Sequence, residues 1–156
     1  MRLVCFRLSI TSSWGNGHAT TYRGLLRGLH RLGHRLEFFE RDVAWYASHR
    51  DLPRPPDIGL HLYADWSEVR SRALAMARAS DAVVVGSYFP DATCVLDDLL
   101  GHAGPLICFY DIDTPITLQQ LRRGACPYLR VDQIPACDLY LSFTGGPVLE
   151  ELQRCC

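Results

Sequence analysis

Residues 81–87, Asp81-Ala82-Val83-Val84-Val85-Gly86-Ser87, form an unbroken β-branched run closed by a glycine. A run apolar on consecutive positions is a strand buried on both faces, the condition met in a parallel sheet covered by helices. Upstream, Asp65-Trp66-Ser67-Glu68 predicts a capping box opening a helix to about Ala79. Before it, Ile58 to Tyr63 reads as a weaker strand, and Leu52-Pro53-Arg54-Pro55-Pro56 as a rigid extended connection. Val43 to His49 is a short helix or a loop, and Arg35 to Glu40 a strand.

At the start, Arg2 to Ile10 reads as the first strand and Thr11 to Gly17 as a polar, glycine-bearing turn. His18 to Leu32 is a helix with Tyr22, Leu25, Leu26, Leu29 and Leu32 on its apolar face, ended by Gly33. The four-residue spacing of Gly24 and Gly28 within it predicts close packing on the sheet. Downstream of the buried run, Pro90 to Leu100 is a helix ended by Gly101, and Pro105 to Tyr110 a fifth strand. Thr114-Pro115 reads as a cap plus a proline in the first turn of a helix to about Arg123. Asp138 to Phe143 is a sixth strand, and Thr144-Gly145-Gly146-Pro147 turns into a last helix running from Val148 to Cys155-Cys156. Strands alternating with helices predict an α/β fold, a single doubly wound, Rossmann-like parallel sheet of about six strands with helices on both faces. The 156 residues are read as one such domain.

Composition narrows the chemistry. The chain is 48% apolar and 21% charged with a net charge of -1, enough apolar material for a core. Every basic residue is arginine, which excludes a lysine Schiff base and a phosphate-loop lysine. Basic and acidic residues, 16 and 17, are interspersed, so nucleic acid is not an expected partner. Seven cysteines show no Cys-x-x-Cys pattern and no zinc spacing with histidine. Cys5, Cys94 and Cys108 sit in apolar runs, where cysteine packs as a small hydrophobe. No apolar stretch approaches the roughly 18 residues of a membrane span. With no leader-like segment at the start, a cytoplasmic location is the expectation.

Ligands of open parallel sheets lie beyond the carboxyl ends of the strands. The first turn, Ser12-Ser13-Trp14-Gly15-Asn16-Gly17-His18, combines glycine mobility with a helix N-terminus suited to an anion or a developing oxyanion. As a dinucleotide fingerprint it lacks the third glycine, where Thr20 stands, although Glu40 at the end of the second strand could read a ribose. His18 at the helix mouth is a candidate general base, because the dipole favours neutral imidazole. Its alternative is a capping or surface histidine; His30 and His34 look like surface residues. Asp111 and Asp113 follow the fifth strand two residues apart, and either could steady His18 through its other ring nitrogen, with Asp113 favoured. The alternative for these carboxylates is helix capping; two carboxylates alone make a poor metal site. Ser87, Tyr88 and Asp91 after the fourth strand, and Gly145 and Gly146 after the sixth, are candidate cleft contacts, although ordinary loop chemistry is the favoured explanation for both sets. Trp14, Trp45, Tyr46 and Trp66 either stack on a sugar or belong to the core.

LSITSSWGNGHATTYRGLL at 8–26, FFERDVAWYASHRDLP at 38–53, VVVGSYFPD at 83–91, FYDIDTPITL at 109–118 and DLYLSFTGGPVL at 138–149 together resemble the N-terminal half of a GT-B-fold glycosyltransferase. More narrowly, they are similar to the bacterial CgeB-like spore-maturation glycosyltransferases. The resemblance implies two Rossmann-like domains facing across a cleft, the first binding a sugar or other hydroxyl acceptor and the second a nucleotide-sugar donor. It implies His18 as the acceptor's base, Asp113 or Asp111 as its partner, no resident cofactor (the nucleotide sugar is a co-substrate) and no catalytic metal. The donor-binding domain is expected to be absent from this chain, through truncation or as a separate polypeptide, leaving little transferase activity here. The rival expectation is a non-catalytic nucleotide or dinucleotide-binding module using Gly15, Gly17 and Glu40; a third is a remnant without activity.

Overall fold

A computed structural model describes residues 1–154; Cys155 and Cys156, the expected end of the last helix, lie outside the described residues. Six parallel strands form one sheet: β1 (Arg2–Phe6), β2 (Arg35–Arg41), β3 (Gly59–Tyr63), β4 (Ala82–Gly86), β5 (Leu106–Asp111) and β6 (Leu139–Ser142). Their order is β3-β2-β1-β4-β5-β6. The chain winds outward from β1 to β3, crosses back, and winds outward again from β4 to β6. β1 and β4 therefore flank the switch point, where the loops after them diverge and open a crevice.

The helices are α1 (Gly17–Arg31), α2 (Ala44–Ala47), α3 (Trp66–Arg78), α4 (Ala92–Leu99), α5 (Thr114–Arg122) and α6 (Pro147–Gln153). Alternation along β1 divides the core. Leu3 and Cys5 pack with Tyr22 and Leu26 of α1 and with Leu36 and Phe38. Val4 and Phe6 face the larger cluster, built with α3, α4, α5 and α6. Phe6 is at its centre, stacked on Phe39 at 5.0 Å and edge-on to Trp66 at 5.8 Å. A fully buried side chain of this size stabilises the fold by about 1.5–3 kcal/mol.

Several local expectations are corrected. β1 stops at Phe6 rather than Ile10, because the amides of Ile10 and Thr11 turn away to the Glu40 carboxylate at 2.7 and 3.1 Å. Gly24 and Gly28 are exposed with nothing near a would-be Cβ, so they do not pack on the sheet. Leu25 and Leu32 are exposed too, leaving Ala19, Tyr22 and Leu26 as the buried stripe of α1. Asp65 caps the Ser67 amide of α3 at 2.8 Å, the forward half of the expected box. Asp113, not Thr114, holds the N-cap position of α5, and its carbonyl accepts from Ile116 and Thr117. Cys5 and Cys108 are buried as expected, whereas Cys94 lies on the exposed side of α4. Among the described residues no helix is long and apolar enough to cross a membrane.

Candidate active site

Gly15 has φ +59°, a left-handed conformation that lets the turn after β1 double back into α1. Asn16 is the N-cap residue and is buried, its Nδ2 donating to the carbonyls of Ser9 and Ser12 at 3.3 Å. His18 is thereby fixed on the first turn of α1, directed at the loops after β4 and β5. No acidic side chain occupies that turn.

From the β5 side comes Asp113. Its backbone caps α5, which frees the carboxylate to point away from the helix. Oδ2 lies 3.8 Å from His18 Nε2 and accepts a hydrogen bond from the Tyr88 hydroxyl at 3.1 Å. The Tyr88 ring stands edge-on to His18 with centroids 5.2 Å apart. Tyr88 holds φ +64°, a conformation uncommon for a bulky residue, and it is this bend that brings its ring between the two loops. His18 Nδ1 is sealed in the interior without a partner, so Nε2 is the ring nitrogen that a ligand meets. Asp113 thus stands beside the ligand-facing nitrogen and not behind the ring, a correction to orientation through the other nitrogen. Burial, and next the positive charge of Arg7, hold the His18 pKa below its ordinary value, while Asp113 and Asp111 pull it upward. The lowered pKa favours the neutral imidazole, the form able to accept a proton.

Gly17, His18, Thr21, Ile112, Asp113 and Phe143 line a hollow of about 240 Å³. That is below the roughly 300–1,000 Å³ typical of drug-sized ligand sites, so it fits a hydroxyl and part of one ring, not a dinucleotide. Two larger grooves lie elsewhere, one between α1 and Pro55-Pro56 and the other at the opposite edge of the sheet around Arg2 and Arg35. Neither is at the carboxyl ends of the strands near the switch point.

The remaining candidates separate by burial. Asp111 is fully buried, accepting from the Tyr140 hydroxyl at 2.7 Å and the Asp113 amide at 3.1 Å; it shapes the loop and does not line the hollow. Ser12 is buried and donates to the His49 carbonyl at 2.8 Å, and Ser13 is bound through amide and hydroxyl to Asp51. Ser87 is buried and accepts from the Ile112 amide. Asp91 holds Tyr63 and Arg41. These residues build the loops and do not line the hollow, since their polar atoms are already engaged. Gly145 and Gly146 lie past Phe143 outside the hollow; Gly146, at φ +70°, opens α6. Trp66 is core, whereas Trp14 and Trp45 are exposed and meet edge-on at 4.6 Å.

Glu40, the expected ribose reader, is fully buried. Ser9 Oγ, Thr11 Oγ1 and the amides of Ile10 and Thr11 all donate to it. Its oxygens are spent on the loop after β1.

The residue that sequence reasoning missed is Arg7. It is 1% exposed and carries its charge beneath the site. Its Cζ sits 3.7 Å over the Tyr22 ring, Nη1 donates to the Tyr110 carbonyl at 2.7 Å, and Nε and Nη2 have no partner. The signal available was a charge in register with Leu3 and Cys5, an inward position followed by a glycine-rich turn.

Among the described residues no group of three or more His, Cys, Asp or Glu side chains is arranged to hold a metal ion. No protein-family model matches this chain, and no curated protein matches it.

Proposed function

We propose that this domain is the acceptor side of a glycosyltransferase, in which His18 takes the proton from an acceptor hydroxyl as it attacks the anomeric carbon of a nucleotide sugar, whose bond to the phosphate oxygen breaks as the nucleotide leaves. The observation that carries the reading is the pairing of His18 Nε2 with Asp113 Oδ2, 3.8 Å apart across an open hollow at the switch point. A hydroxyl seated there donates to the neutral imidazole. Asp113 then lies beside the imidazolium that forms and favours it electrostatically. Phe143 offers an apolar ring face at the hollow's edge, the kind of surface on which a sugar's C–H face packs. The nucleotide sugar is a co-substrate held by a facing domain, and no resident cofactor or metal enters the step. The resemblance of the five sequence blocks to CgeB-like glycosyltransferases supports the same reading.

Dinucleotide binding draws less support, because Glu40 is committed to the loop after β1. Calorimetry separates the two. The chain by itself should bind NAD, NADP and uridine nucleotides weakly, and tight dinucleotide binding would favour the rival. Where the domain is supplied with donor, acceptor and a donor-binding domain, His18→Ala should lower kcat by about 10²–10⁴. Near-normal turnover in that variant would refute the role of His18.

A further inference from the structure

Among the described residues, seven buried side-chain nitrogen or oxygen atoms lack a hydrogen-bond partner. Five of them gather around the first turns of α1: Arg7 Nε and Nη2, Asn16 Oδ1, His18 Nδ1 and Tyr22 OH. The most demanding is the Arg7 guanidinium. A buried charge is normally paired with a carboxylate, since an unpaired one is heavily penalised. Arg7 instead lies between aromatic rings, 3.7 Å over Tyr22 and 5.2 Å from the Tyr110 centroid. The backbone is shaped for it: a Cβ on Gly86 would fall 1.7 Å from Arg7 Cζ. Tyr22, on which it rests, follows His18 by four residues and so sits one turn below it on the same face of α1.

The other groups around His18 are mostly acidic or neutral. Asp113 faces it from the β5–α5 loop, Asp111 lies behind at the end of β5, and Tyr88 packs on it from the loop after β4. These two carboxylates pull His18 toward an imidazolium–carboxylate pair, which has no lone pair to offer a hydroxyl; burial opposes them first and the Arg7 charge next. A fixed cation on the interior side opposes that collapse.

We propose that Arg7 is a positioning residue whose buried charge keeps His18 in the proton-accepting form beside Asp113. The role in catalysis rests on the reading of His18 as a base; the charge coupling does not. Arg7 itself, though brought down to about 9 by burial, stays charged at neutral pH.

The coupling is read by NMR titration of the full chain with labelled histidine and arginine side chains. Arg7→Gln should move the His18 midpoint up, and Arg7→Lys should restore most of the wild-type value. Asp113→Asn should move it the other way. A folded Arg7→Gln protein with the His18 midpoint unchanged overturns the proposal. Should that variant fail to fold, the wild-type protein decides. The Arg7 guanidinium resonances should show a step at the His18 midpoint that disappears in His18→Gln, and their silence through that range overturns it equally. None of these readouts uses transferase activity, so failure of the functional reading would leave them standing.

Discussion

The Tyr88 hydroxyl donates to Asp113 Oδ2 at 3.1 Å, joining the loop after β4 to the loop after β5 at the same oxygen that faces His18 Nε2. One carboxylate oxygen thus reports to both neighbours, and the left-handed bend at Tyr88 is the local distortion that makes the arrangement possible. Tyr88→Phe keeps the ring on His18 and removes the tie. Because Asp113 is half exposed, the loss should be about 1 kcal/mol or less by urea unfolding. A variant that unfolds outright would mean the hydroxyl is holding the fold and not the site.

Glu40 carries a larger structural role. Four donors from residues 9–11 converge on it in the interior. Glu40→Ala strands two buried amides and two hydroxyls and should destabilise the chain by about 3 kcal/mol. Chemical denaturation measures this, and wild-type stability in the variant would show that the loop after β1 does not depend on it.

Gly86 is constrained by a neighbour rather than by its own backbone angles. Gly86→Ala places a methyl group where Arg7 Cζ lies and must displace a buried cation. The expected loss is about 3 kcal/mol, combining overpacking with the disturbed charge. Equal stability would indicate that the guanidinium has another resting place.

The acid dependence follows from His18 and from the carboxylates Asp51, Asp65 and Asp97, which their partners hold low. The folded pKa of His18 lies below the unfolded value of about 6.5, so the unfolded chain takes up that proton first on acidification. Its contribution is complete above that value and is lost as pH falls toward the folded pKa. Asp51 is held well below the usual carboxylate range by the Arg23 guanidinium and by Ser13, so its contribution persists until pH drops beneath about 4. Urea midpoints followed from neutral pH downward should decline in two stages, and His18→Gln should remove the first. An unchanged upper stage in that variant would contradict the low pKa of His18.

The fold was legible because burial on both faces leaves a simple mark, as in Val83-Val84-Val85 or Leu3-Val4-Cys5-Phe6. Turn chemistry at Gly15 and Gly33 was equally readable, since both take positive φ. What escaped was tertiary. Nothing in residues 7–11 announces that a carboxylate thirty residues away will bend them off the ladder. Composition alone also could not separate Asp111 from Asp113, because they differ in what packs over them: Tyr140 seals the first and the second opens on the hollow. Arg7 was invisible for a related reason, since a charge inside the core runs against the usual pattern and depends on the shapes of Tyr22, Gly86 and Tyr110.

The proposed function places an acceptor hydroxyl in the hollow between His18 and Asp113. Its most direct test is a two-dimensional NMR titration of the full chain with a panel of mono- and disaccharides, with NAD in parallel. Saccharides should induce shifts centred on His18, Thr21, Asp113 and Phe143, together with a displaced His18 titration midpoint. Saccharides that leave those resonances untouched, while NAD moves Gly15, Gly17 and the loop held by Glu40, would contradict it.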